Sequence, residues 1–248
     1  MTQRHSQKQL PIFFLLISLV IAILLPILTF CVPSVHQSIP YEKEVIGIIF
    51  GTICILGIVA GIIPSRCSQV FHFKREQKEL IKTTKSKEPF KSTLMVKGHH
   101  PTCSNYSSHV LRLDSTILCG GCTGLTIGGL LALVSSCLFF FLGWTLPWLF
   151  IFYWLGFFGV VVGLLQHSIY KIFRIGSGFV RVIVNVFFVM GSFLLLASTI
   201  EITHYFALEL YLLLAIIYWI FTRIMISKRE HHLVCTKCGD QVCYLSKA

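Results

Sequence analysis

Residues 119–144 read C-G-G-C-T-G-L-T-I-G-G-L-L-A-L-V-S-S-C-L-F-F-F-L-G-W. From Thr123 to Trp144 there is no charged side chain. A bilayer core of about 30 Å needs roughly 20 apolar residues to be crossed by a helix. The alternation of a membrane barrel strand is missing. A helix satisfies its own backbone in lipid, so the run predicts a membrane-spanning helix.

Five further runs of this kind flank it: Pro11–Cys31, Val45–Ile63, Pro147–Gln166, Phe179–Ile200 and Ala207–Ile226. The predicted fold class is an all-α polytopic membrane bundle of about six transmembrane helices. Composition agrees. Of 248 residues, 55% are hydrophobic and only 12% charged, against about a quarter charged in soluble domains. Mean hydropathy is +0.78. These figures exclude an ordinary cytosolic enzyme and a disordered basic tail. Arg4 and Lys8 precede the first run as in a signal peptide. The run is longer than the usual 7–15-residue apolar region and no A-x-A site follows. Phe30 also stands where a lipoprotein-type cleavage site needs a small residue. The run is therefore read as a span, with Pro26 kinking it.

Charge sets the orientation. The formal net charge is +11, and 20 of the 21 Lys and Arg residues fall on one side of the predicted spans, leaving Lys43 alone on the other. Positive residues stay inside, so both termini and the long second loop are expected in the cytoplasm of a prokaryotic cell, with the chain multi-pass in the plasma membrane. The charge is a topology signal and not a nucleic-acid footprint. Five regions follow: 1–63 with two spans, 64–97 a basic, partly helical linker, 98–122 a Cys/His motif, 123–226 with four spans, and 227–248 a Cys/His tail. The run Lys74–Lys97 is suited to anionic lipid head groups. Glycines recur four apart at Gly47/Gly51, Gly57/Gly61, Gly120/Gly124/Gly128 and Gly159/Gly163. That spacing lets helices approach closely and is read as packing within the bundle.

The chemistry lies in cysteine and histidine. Seven of ten Cys and eight of ten His fall on the predicted cytoplasmic side. Stable disulfides are rare in that compartment, so clustered Cys and His point to metal or redox chemistry. In the first cluster, Cys119 and Cys122 have the C-x2-C spacing with which two thiolates grip one tetrahedral ion. Cys103 with His109, His100 or His99 would complete a Cys₃His set for zinc, with iron also compatible. The following helix favours thiolates through its positive end. The second cluster holds His231, His232, Cys235, Cys238 and Cys243. C-T-K-C-G resembles half a zinc ribbon, with His231 or His232 as a further ligand, or with an ion shared with Cys119 and Cys122. Weaker polar points are Glu201, His204 and Glu209, read as an interfacial cap; Asn185, read as an interhelical hydrogen-bonding residue; and Gln166 and His167, the latter an optional extra ligand. No Walker loop, G-x-S-x-G, H-E-x-x-H or dinucleotide fingerprint is present.

From Cys103 to Gly128 the chain reads C-S-N-Y-S-S-H-V-L-R-L-D-S-T-I-L-C-G-G-C-T-G-L-T-I-G. It resembles a family of prokaryotic multi-pass membrane proteins catalogued as a domain of unknown function (number 2085). The resemblance rests on Cys103, Ser108, His109, Cys119, Cys122, Thr123, Gly124 and Gly128, covers about 30 residues and the next helix, and leaves out the tail. It implies an integral membrane protein centred on the first cluster and implies no activity. The leading expectation is a membrane protein with a structural zinc site at its cytoplasmic face. The rivals are a thiol–disulfide oxidoreductase using Cys119 and Cys122, and a transporter or lipid-handling protein.

Overall fold

In the computed structural model, residues 2–31, 41–62, 109–113, 116–173 and 177–238 are described. Six helices among them are long and apolar enough to cross a membrane. They are α1 (Thr2–Cys31), α2 (Glu42–Ile62), α3 (Gly120–Phe141), α4 (Leu149–Phe173), α5 (Gly178–Thr203) and α6 (Phe206–Cys238). Between α2 and α3 lies a hairpin of β1 (Val110–Leu113) and β2 (Thr116–Cys119). Its strands pair antiparallel, Val110 opposite Cys119 and Leu113 opposite Thr116. The starts of α1, α3 and α5 and the ends of α2, α4 and α6 therefore share the hairpin end of the bundle.

The apolar runs place the helices well and their ends less well. α3 starts three residues before Thr123, because β2 delivers the chain into the helix at Gly120. α6 continues past Ile226 to Cys238. The apolar count stops where the membrane segment stops, whereas Lys, Arg and Glu remain good helix formers in water. Gly143, at φ 68°, closes α3 in a backbone region that an L side chain seldom enters. His204, at φ 46°, ends α5, and its amide donates to the Ile200 carbonyl over 3.1 Å. Ser177 caps the start of α5 by accepting from the Val180 amide over 3.2 Å.

α5 packs against both α3 and α4, α2 lies on α3, and α1 lies on α6. Small residues make these approaches. A Cβ on Gly124 would stand 2.5 Å from the Val182 carbonyl oxygen, and one on Gly128 would stand 3.0 Å from Val186 Cα. On the other side of α5, a Cβ on Gly159 would lie 3.2 Å from Gly191 Cα. Lipid gives helices no hydrophobic reason to associate, so close van der Waals contact must supply it. Gly57 is the exception, with no heavy atom within 4 Å of such a Cβ. Buried Phe50, Tyr153, Phe193 and Trp219 fill the centre. Outward-facing Phe13, Leu56 and Leu214 are 58–67% exposed, as a lipid-facing surface requires.

Polar bonds cross the helices sparingly. Ser18 and Thr222 join α1 to α6 over 2.8 Å, and Trp219 Nε1 donates to the Ser18 carbonyl over 3.1 Å. Tyr153 donates to Thr29 over 3.2 Å. At the end opposite the hairpin, Lys43 pairs with Glu201 over 2.6 Å. Exposed Trp144 and Trp148 stand between α3 and α4 at that same end, the level at which aromatic residues gather at a membrane interface.

Candidate functional site

The hairpin brings sequence-distant residues to the start of α3. β2 ends at Cys119, the residue preceding the first turn of α3, and Cys122 lies within that turn. Because Val110 pairs with Cys119, His109 comes to the same end of the ladder. Gly120 allows α5 to press close: a Cβ there would lie 2.5 Å from the Gly178 carbonyl oxygen and 3.4 Å from Arg181 Cβ. The guanidinium of Arg181 then reaches the hairpin, with Nη2 3.4 Å from His109 Nε2.

The two thiols act on each other. Cys119 is buried and Cys122 is half-buried. A hydrogen bond from Cys122 is the main cause that holds the Cys119 thiol down at about 6, from an ordinary 9.0. Burial opposes this, while the amides of Cys122 and Gly121 and the positive charge of Arg181 support it. Those amides belong to the first turn of α3, whose unpaired N–H groups favour an anion.

A polar network continues from Arg181 into the bundle. Arg181 Nη1 donates to Glu230 Oε2 on α6 over 3.4 Å, and Glu230 Oε1 bonds His167 Nδ1 on α4. Arg181 also lies over the Tyr170 ring, 4.6 Å from its centre. Asn185 donates to the Arg181 carbonyl over 2.6 Å and accepts from Arg223 Nη2 over 2.8 Å. Arg223 also donates to Gln166 and lies 4.4 Å from the Phe188 ring centre.

Set against the sequence reading, Cys119 and Cys122 come together and His109 joins them through Arg181. Asn185 bonds between helices as expected. His167 has Glu230 as its partner. Among the described residues, no three His, Cys, Asp or Glu side chains gather as a metal-holding group. His99, His100, Cys103 and Cys243 lie outside the described residues, as does the linker 64–97. Cys235 and Cys238, with His231 and His232, fall on the last turns of α6, but their side chains also lie outside what is described. The expected interfacial cap divides: Glu201 pairs with Lys43, His204 closes α5, and Glu209 is buried at 1% exposure.

Sequence reasoning passed over Arg181, Glu230, Arg223 and Tyr170. Their signal was helical phase. Arg181 and Asn185, and Gln166 and Tyr170, are four apart, while Arg223 and Glu230 are seven apart. Such spacings put polar groups on one face of an otherwise apolar helix. Comparison of the chain with protein-family models, curated proteins and solved structures finds no match in any of the three.

Proposed function

We propose that this multi-pass membrane protein carries a thiol–disulfide exchange centre, Cys119 and Cys122, at the cytoplasmic face of a prokaryotic plasma membrane. The observation that carries the reading is the placement of Cys119 at the start of α3. There it is bonded to Cys122 and faced by Arg181, so that its thiolate is favoured near neutral pH. The thiolate is the nucleophile in disulfide exchange, and a resolving thiol within reach completes the pair. The charge bias supports a hairpin end inside the cell, and the resemblance to the domain of unknown function centres on the same two cysteines.

The exchange balances without another group. The Cys119 thiolate attacks one sulfur of a substrate disulfide, whose S–S bond breaks and releases one thiolate. Cys122, after losing its proton, attacks Cys119 Sγ in the mixed disulfide and releases the second substrate thiolate. The substrate gains two electrons and the protein closes a Cys119–Cys122 disulfide. Reverse exchange with a soluble dithiol restores the pair. In a reducing compartment this direction reduces the substrate.

A second reading is zinc held by the same two thiolates. The strand register that carries His109 to the Cys119 end favours it, and the remaining donors would come from His99, His100 and Cys103, outside the described residues. The Arg181 guanidinium beside Cys119 weighs against it, because it already supplies a positive charge to the thiolate and repels a dication. Redox titration of the purified chain separates the two. The exchange reading expects a two-electron couple with a mass loss of about 2 Da confined to the peptide holding Cys119 and Cys122. Near-stoichiometric zinc with both thiols protected from oxidation would overturn it in favour of the metal.

A further inference from the structure

Arg223 lies deep between α4, α5 and α6, yet its partners are the neutral amides of Gln166 and Asn185 and the ring of Phe188. The carboxylate in this network, Glu230, is held by His167 and Arg181. Among the described residues, no carboxylate is hydrogen-bonded to Arg223, whose guanidinium meets only neutral groups. Among the described residues, three enclosed donors also have no hydrogen-bond partner: Arg223 Nη1, Arg181 Nε and the Tyr170 hydroxyl. They belong to one neighbourhood, since Arg181 covers the Tyr170 ring and Asn185 bonds both the Arg181 carbonyl and the Arg223 guanidinium. Unpaired charge and unpaired donors are costly in a low-dielectric interior. Where native structures keep them, an ion or a water supplies the partner.

We infer that Arg181, Arg223 and Tyr170 form a binding site for a phosphate oxyanion at the hairpin end of the bundle. A tetrahedral anion has enough oxygens for three separate donors. A phosphodiester would bring a negative charge directly to Arg223. Tyr170 ends the span of α4 and Arg181 lies one turn inside the span of α5, the depth at which a phospholipid phosphate sits. Basic pockets between helices at this face are suited to lipid head groups. The same chemistry would hold inorganic phosphate. This inference does not depend on the dithiol reading.

The test uses the full chain, delipidated in a neutral detergent, and follows its thermal midpoint. The probes are inorganic phosphate, phosphatidylglycerol and diacylglycerol. A ligand of the folded state raises the midpoint in proportion to its occupancy. Wild type is expected to respond to phosphatidylglycerol, to inorganic phosphate or to both, and not to diacylglycerol. A response to phosphatidylglycerol alone assigns the site to a lipid, and a response to inorganic phosphate assigns it to the free ion. Arg223→Gln is expected to abolish the response. Tyr170→Phe, which removes a hydroxyl with no partner among the described residues, should fold normally and bind about fivefold more weakly, the loss of one hydrogen bond. No response of wild type to either phosphate compound, an equal response to diacylglycerol, or full binding by both variants overturns the site.

Discussion

The dominant influence on Cys119 is its hydrogen bond from Cys122, so Cys122→Ala is the most direct perturbation. A hydrogen bond to a charged group contributes about 1.5–3 kcal/mol. At 1.36 kcal/mol for each pKa unit, its loss raises the thiol by about 1–2 units. The starting value of about 6 then becomes about 7–8, and the thiolate fraction at pH 6 falls from about one half to roughly 1–10%. Isotope-coded alkylation of detergent-solubilised protein, read by mass spectrometry on the Cys119 peptide, gives the midpoint at this site alone. Rates are normalised to their plateau at high pH. That removes both the restricted access to a buried sulfur and the lower intrinsic nucleophilicity of a low-pKa thiolate. Arg181→Gln removes a weaker influence and is expected to move the midpoint in the same direction by less. A wild-type midpoint near 9, or a Cys122→Ala midpoint within about 0.3 units of wild type, refutes the thiolate reasoning.

Three further outcomes are expected. A methyl on Gly124 collides with α5, so Gly124→Ala should destabilise by about 1–3 kcal/mol. Gly57→Ala, in open space, should be neutral or stabilise by up to about 1 kcal/mol; both are read by detergent-denaturation midpoints, and equal effects would contradict the α3–α5 packing. Ser18→Ala should cost about 0.6 kcal/mol, the mean for hydrogen bonds between membrane helices, by the same assay. The depressed Cys119 thiol makes a pH prediction. Its folded value of about 6 lies below an ordinary 9.0, so its stabilisation is complete above pH 9 and lost as pH falls through 6. The thermal midpoint should therefore climb from pH 6 to 9, and Cys119→Ser should remove that part of the climb.

The bundle was legible because spanning a bilayer demands a long apolar run, and each run is a local feature. Its glycine contacts were legible for the same reason, since four-residue spacing already puts small residues on one helix face. The hairpin was not. V-L-R-L and T-I-L-C are four-residue segments beside a dense Cys/His motif, too short to impose a period. Yet the hairpin sets the chain direction into α3 and brings His109 to the Cys119 end of the ladder. The sequence singled out Cys119 and Cys122, and the structure adds why one of them differs from an ordinary thiol.

That addition changes how the polar residues of the spans are read. Arg181 and Arg223 looked like topology markers, because Lys and Arg accumulate on the inner side whatever their partners are. A residue that serves only topology belongs in water beyond the helix end. Arg181 instead touches His109, Tyr170 and Glu230, and Arg223 is enclosed with an Nη1 unpaired among the described residues. Keeping a guanidinium there is justified only by groups it stabilises. For Arg181 these are the Glu230 carboxylate and the Cys119 thiolate. Closing a Cys119–Cys122 disulfide removes that second anion and raises the uncompensated charge beside α5. On the proposed exchange reading, the redox state of the thiols would thereby be coupled to the charge between α4, α5 and α6.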